Sequence, residues 1–443
     1  MLSRQEATNI IDKVIGYSKL PKCEVSLSWT EDAFIRFANN GITTSGYRIT
    51  RQASITSVTE DKRSGNAVVS EMSDDALRRG VERAEALARI SKPNPEEMPA
   101  LGPQKYATLA NFDPFTGSTR GDFMIPHVKA VIDSARRNEL VAAGYIQRSA
   151  NAVAVANKAG LFGYHTYTDS SFSNTMRNSG GTSSGWASQI STSIKDLNGE
   201  SVARVSTEKC LRGAGTRRKL EPGKYTVILE PSAVSDLVGY LGSGFGARDA
   251  EQGQSFLSKQ GGGTHLGEKM FPEYITLISD PLNTKLATSP WGPSLLPNQR
   301  IAWIEQGAVK NLYYDRYWAS KAGKEPTPAP GNLLLQGQDH TLDDLIQSTE
   351  KGLLITRLWY IRMLQPQTLQ VTGLTRDGVF LVENGKVTDP VNNFRWNESP
   401  VRVLQNTKRL TRPLPSQGSE GGSSIVPAIV ATEFNLASVS DAV

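Results

Sequence analysis

The chain of 443 residues has little of what holds metals or staples small folds: two cysteines and four histidines. Cys23 and Cys210 lie far apart, with neither CxxC nor CxxH spacing around them, so no disulfide framework or structural zinc site is indicated. His127, His165, His265 and His340 are equally scattered, and none forms the local pair from which a helical metal site is built. They read as unrelated surface or core residues. No apolar run approaches the roughly 18 residues of a membrane span. The opening MLSRQEATNIIDKVIGYSKL carries Glu6 and Asp12 and lacks an apolar h-region, which argues against an export signal. A soluble, cytoplasmic protein without membrane association is expected. Charge of one sign is also missing: the net charge is +5 and clusters such as Arg217-Arg218-Lys219 are short, so no nucleic-acid partner is expected.

What is present is length enough for two or three domains and a regular alternation of helical and strand patterns. An opening helix over about 4–18 leads into alternating segments, with Asn39-Asn40-Gly41 as a turn signal. Ser73 then caps a helix whose Ala76, Leu77, Gly80, Val81, Ala84 and Leu87 form one face. Pro93, Pro95, Pro99 and Pro103 mark an extended linker. The order helix, strands, helix recurs over 122–213, the pattern that a structural duplication would leave. From Lys219 onward short strands dominate, and "GVFLVENGKVTDPV" reads as a hairpin around an Asn384-Gly385 type I′ turn. The expected class is α+β. A helix and antiparallel-sheet region, divided at 1–100 and 101–218, precedes a curved or barrel-like β-rich domain over 219–443.

Several stretches are candidate sites. In "GQSFLSKQGGGTHLGEKMF", Gly261, Gly262 and Gly263 free the backbone for close approach to a peptide or partner, beside Ser255, Lys259 and His265. A Ser/Lys nucleophile pair there would also need an oxyanion hole, and the spacing arises readily by chance. "GSGFGARDAEQG" falls one residue short of GxGxxG and follows a helix, so it does not read as a dinucleotide site. "RLWYIRML" places Trp359, Ile361 and Met363 on one side of a strand. That is either a half-buried core strand or a sheet edge for an extended peptide, with Arg362 or Arg376 receiving a carboxylate. Tyr313, Tyr314, Tyr317 and Trp318 suit a subunit interface or a core.

"LEPSAVSDLVGYLGSG" (229–244) runs from a strand into a helix through Pro231. Val234, Leu237, Val238 and Leu241 recur at helical spacing, and the polar face offers Ser232, Ser235 and Asp236. Together with "SFLSKQGGGTHLGEKMFPEYITLISDP", "RIAWIEQGAVKNLYYDRYWASKAG", "PGNLLLQGQ" and "TGLTRDGVFLVENGKVTDPVNNFRWNESP", taken in order and spacing, this segment resembles the TldD/PmbA family, also called the modulator-of-gyrase family. The resemblance extends over essentially the whole chain. It implies a zinc-peptidase architecture in which two related subunits enclose a chamber for unfolded peptides. In the active branch this helix carries HExxxH and a cysteine near the C-terminus completes the metal site. Here 232–242 contains neither histidine nor glutamate, and no cysteine follows Thr411. Ser232, Ser235 and Asp236 thus stand at the metal-helix position with the ligands absent, as in the PmbA/TldE-like branch. The expectation is a non-catalytic subunit without a metal, whose zinc-bearing TldD-like partner performs the hydrolysis. The alternatives are a homodimeric peptide-binding or scaffold protein, or a peptidase with unrecognised residues such as His265 and Lys259.

Overall fold

The structure is a computed structural model describing residues 1–420 and 422–440. Its first half is built on a parity rule. In the strand β1 (Lys22–Ala38), Val25, Leu27, Ala33, Ile35 and Phe37 point to one face and are buried, while Ser26, Ser28 and Thr30 point to the other. A turn through Asn39 and Asn40, at φ 50° and 58°, returns the chain as β2 (Gly41–Val58), and β3 (Ser64–Val69) pairs with its far end. The helices α1 (Arg4–Tyr17) and α2 (Asp74–Ile90) cover the apolar face there.

The second occurrence of the pattern repeats this. After a short helix α3 (Pro114–Ser118) come α4 (Gly121–Arg137), β4 (Leu140–Asn157), β5 (Phe162–Asn178), β6 (Ser184–Ser191) and α5 (Gly199–Gly213). Segments 1–100 and 101–218 contribute to one sheet, in the order β3-β2-β1-β4-β5-β6, joined by antiparallel pairing of β1 with β4 from Glu24↔Asn157 to Phe37↔Gly144. Two glycines carry the repeat. A Cβ on Gly65 of β3 would lie 2.2 Å from the Ala84 carbonyl oxygen of α2, and one on Gly185 of β6 would lie 2.3 Å from the Ser206 carbonyl oxygen of α5. Each half therefore seats its second helix directly on bare strand backbone.

The C-terminal half contains the expected barrel. Strands β7 (Gly223–Leu229), β12 (Lys351–Gln365), β13 (Gln370–Glu383), β15 (Asn393–Glu398) and β19 (Ile429–Ser440) close in the order β12-β7-β19-β15-β13 and back to β12. β14 (Lys386–Pro390) extends β13 across Asn384 and Gly385, both at positive φ as a type I′ turn requires, and β16 (Thr407–Leu410) pairs with β19. A second sheet consists of β8 (Leu277–Ser279), β9 (Ile301–Glu305), β10 (Ala308–Val309), β11 (Leu333–Leu335), β17 (Leu414–Gln417) and β18 (Ser423–Val426). The helix α6 (Pro231–Ser243) contributes Val234, Leu237, Val238 and Leu241 to the large core shared by barrel and second sheet. The alternation expected in 357–364 breaks at Tyr360, whose φ of 53° puts an irregularity into β12. Ile361 stays buried while Met363 turns out to solvent. No helix among the described residues is long and apolar enough to cross a membrane.

Candidate functional site

β7 ends at Leu229 and Pro231 occupies the first turn of α6, so the helix starts abruptly beneath the barrel rim. Its polar face is covered by the hairpin of β17 and β18. Ser232 Oγ donates to the Gln417 carbonyl at 2.8 Å, and Ser235 Oγ lies 2.7 Å from Ser424 Oγ and 3.3 Å from the Ser416 carbonyl oxygen. The fully buried Asp236 accepts from the backbone amides of Ser419 (2.9 Å) and Glu420 (2.8 Å). Gly418 lets the loop come this close, since a Cβ there would sit 2.5 Å from Asp236 Oδ1. The same loop reaches the barrel: Glu420 accepts from the Ile361 amide at 3.0 Å and pairs with Arg362 at 2.7 Å. Arg362 is thereby joined to the α6 face through Glu420.

The donor set on this face does not fit a zinc ion. Zinc in proteins takes imidazole, thiolate or free carboxylate, whereas here the hydroxyls donate to carbonyls and the one carboxylate is held by two amides. Among the described residues no group of three or more His, Cys, Asp or Glu side chains could hold a metal elsewhere.

Residues 222–438 match the family description "PmbA/TldA metallopeptidase C-terminal domain", and residues 23–88 match "PmbA/TldA metallopeptidase domain 1". The chain belongs to the PmbA/TldD metallopeptidase family. Its fold is that of TldE from Thermococcus kodakarensis, at a TM-score of 0.85 and 18% identity over 97% of this chain and 99% of that one. It is also similar in fold to a protein of Thermotoga maritima described as a candidate modulator of a DNA gyrase, at a TM-score of 0.81 and 17% identity over 97% and 99% of the two chains. In sequence, it is 29% identical over 135 residues to an uncharacterised protein of Methanocaldococcus jannaschii, a match covering 27% of this chain and 31% of that protein. The chain thus spans about a third of the length of that relative.

Outside α6, the other candidate residues of this PmbA/TldD family member fall into separate places. Ser255 Oγ donates to the Gly244 carbonyl at 2.8 Å and accepts from the Leu257 amide, closing a turn. Lys259 and His265 both bind Glu268, His265 Nδ1 at 2.6 Å, and the hydrogen bonds of these two side chains hold the Glu268 carboxyl below its usual range. Gly261, Gly262 and Gly263 all have positive φ and open space around their Cα atoms, so they form an exposed tip. Arg376 lies over the Trp359 ring at 5.0 Å. The aromatic group at 313–318 packs on the main core, where Glu251 accepts from Tyr314 Oη (2.6 Å) and Trp318 Nε1 (2.7 Å). His127 and His165 are both pushed down by burial, and the His165 ring meets the Thr288 carbonyl at 3.1 Å.

Two ion pairs were not visible in sequence. Glu230 pairs with Lys209 of α5 at 2.6 Å, tying the start of α6 to the N-terminal sheet's helix layer. Arg357 pairs with the buried Asp377 at 2.7 Å, between the rings of Trp186 and Trp359 at 4.8 and 5.3 Å. Burial lowers the Arg357 guanidinium from its usual value, and Asp377 works against this. The partners of each pair lie on different elements about 20 residues apart, beyond the reach of helical or strand periodicity.

Proposed function

We propose that this chain is a TldE-like, non-catalytic subunit of a cytoplasmic zinc-dependent protease acting on unfolded peptides. The carrying observation is the α6 face: where the family's active branch is expected to place HExxxH, Ser232, Ser235 and Asp236 are spent on holding the β17–β18 hairpin. The shared fold with TldE supports the reading. A related subunit bearing HExxxH supplies the zinc and the metal-activated water, and this chain shapes the chamber and its access.

The test is metal content and peptide cleavage of the chain purified alone, then after mixing with the HExxxH homologue of the same organism. Zinc and cleavage only in the mixture are expected. Stoichiometric zinc, or chelator-sensitive cleavage, in the isolated chain would overturn the non-catalytic assignment. Failure of the two chains to associate, with self-dimers only, would favour the homodimeric peptide-binding reading instead.

A further inference from the structure

The face of the N-terminal sheet that carries no helix is polar, and a row of side chains crosses four strands on it. Arg48 of β2, Asp32 of β1, Ser149 of β4 and Asp169 of β5 stand opposite one another. Asp32 has its cation: it accepts from Arg48 Nη2 at 2.6 Å and from Ser149 Oγ at 2.8 Å. Asp169 has none. Its Oδ2 accepts from Asn151 Nδ2 at 2.9 Å, and no hydrogen bond or ion pair reaches Oδ1 among the described residues. Burial, with Asp32 close by, pushes its carboxyl up to about 6, the state of a carboxylate that lacks a counter-charge.

Asp169 lines a cavity of about 290 Å³ between β5, the segment around Lys285 and the β17–β18 hairpin. Asn332 and Ser423 line it too, and both also line a cavity of about 580 Å³ whose wall includes Gly239, Gly242, Ser243 and Gly246. The two cavities therefore form one trough. At one end is a carboxylate that no ion pair reaches among the described residues, with Lys285 elsewhere in the same wall; at the other, Gly239 gives α6 a bare position, while Leu333 packs over Gly242 and the side chains of Tyr313, Arg248 and Asp249 share the wall.

We propose that this trough takes the ammonium group of an extended peptide on Asp169, with the chain running past Asn332 toward Gly239 of α6. The proposal names the substrate class for the peptide-handling role above and rests on that reading. The chemistry favours ammonium over other cations. A guanidinium wants both carboxylate oxygens in a fork, but Oδ2 is already engaged by Asn151. A calcium ion wants six or more oxygens, and the second carboxylate of the row is committed to Arg48. A three-donor ammonium can use Oδ1 together with neutral oxygens of Ser171 and Gln147, which line the same cavity.

The experiment is fluorescence anisotropy on the isolated full chain, without added metal or partner. The probe is a short, C-terminally labelled peptide of neutral side chains in three forms: free N-terminus, N-acetylated, and N-acetylated with one lysine. The free-amine peptide is expected to bind, and Asp169→Asn to weaken it about tenfold or more, the worth of a charge-assisted hydrogen bond. Acetylation should cost as much, and recovery with the lysine form would assign the site to side-chain amines as well as the α-amine. Equal binding of free and acetylated neutral peptides, unchanged affinity in Asp169→Asn, or no binding to the wild type at millimolar concentration would each overturn the proposal. Because no partner or zinc enters this assay, amine-dependent binding survives even if the isolated chain proves to hold metal. A metal-free chain that pairs normally but ignores the amine overturns the trough alone.

Discussion

Asp169→Asn carries a second prediction, on stability, with a defined pH dependence. The Asp169 carboxyl sits near 6 in the folded chain against about 3.9 when unfolded. A raised carboxyl leaves the folded state at full stability below the unfolded value, and that stability is lost as pH rises through the folded one. Above pH 6 the folded chain bears the buried charge. Two units at about 1.4 kcal/mol each set an upper bound of about 3 kcal/mol, and solvent reaching the cavity reduces this to about 1–2 kcal/mol. Asparagine cannot ionise and its amide oxygen can keep the bond from Asn151. The variant should therefore be more stable than wild type at pH 7.5. The gain should fall to about half at pH 5 and nearly vanish by pH 4. Urea midpoints or thermal transitions followed by tryptophan fluorescence at these pH values test it. A variant no more stable than wild type at pH 7.5, or one with the same gain at every pH, would refute the account of Asp169 as an uncompensated carboxylate.

Asp236→Ala removes the buried acceptor of two backbone amides and should cost about 2–3 kcal/mol. Its signature is faster hydrogen exchange at Ser419 and Glu420, and unchanged exchange there would refute the sealing of the α6 face. Arg357→Met leaves the buried Asp377 with only the longer ion pair to Arg376 at 3.9 Å and should cost about 3 kcal/mol, with the double variant Arg357→Met/Asp377→Asn recovering much of the loss in chemical denaturation. A double variant as unstable as the single one would count against that pairing. Gly65→Ala and Gly185→Ala should each lower the melting temperature by several degrees, because the neighbours of the new Cβ are helix backbone. Tolerance of alanine at only one of them would show that the two halves do not use the same helix seat.

Patterns of local origin were legible. The helix over 4–18 begins with a capping box in which Ser3 and Glu6 bind each other's backbone. The meander turns where Asn39-Asn40 permits positive φ, and the Asn384-Gly385 hairpin follows the same rule. The barrel was legible as a class from its many short strands, but not its closure, since the pairing of β12 with both β7 and β13 depends on partners more than a hundred residues apart in one case. At Tyr360 the alternation failed because an irregularity in the strand overrides the period of two. Ser232, Ser235 and Asp236 could be placed on one helix face, yet what covers that face lies some 180 residues downstream.

By itself the sequence determined the element types, the doubled helix-strand pattern, the family and the lack of histidine and cysteine at the metal-helix position. These depend on spacing along the chain or on residue identity. Only the tertiary structure decided that the two N-terminal segments share one sheet, that the α6 face is closed by the tail hairpin, and that Asp169 stands without a cation while Asp32 has one. The physical reason is the same in each case. A side chain's charge state and partners are set by groups that folding brings within a few ångströms, and here those groups come from strands whose register no local pattern encodes.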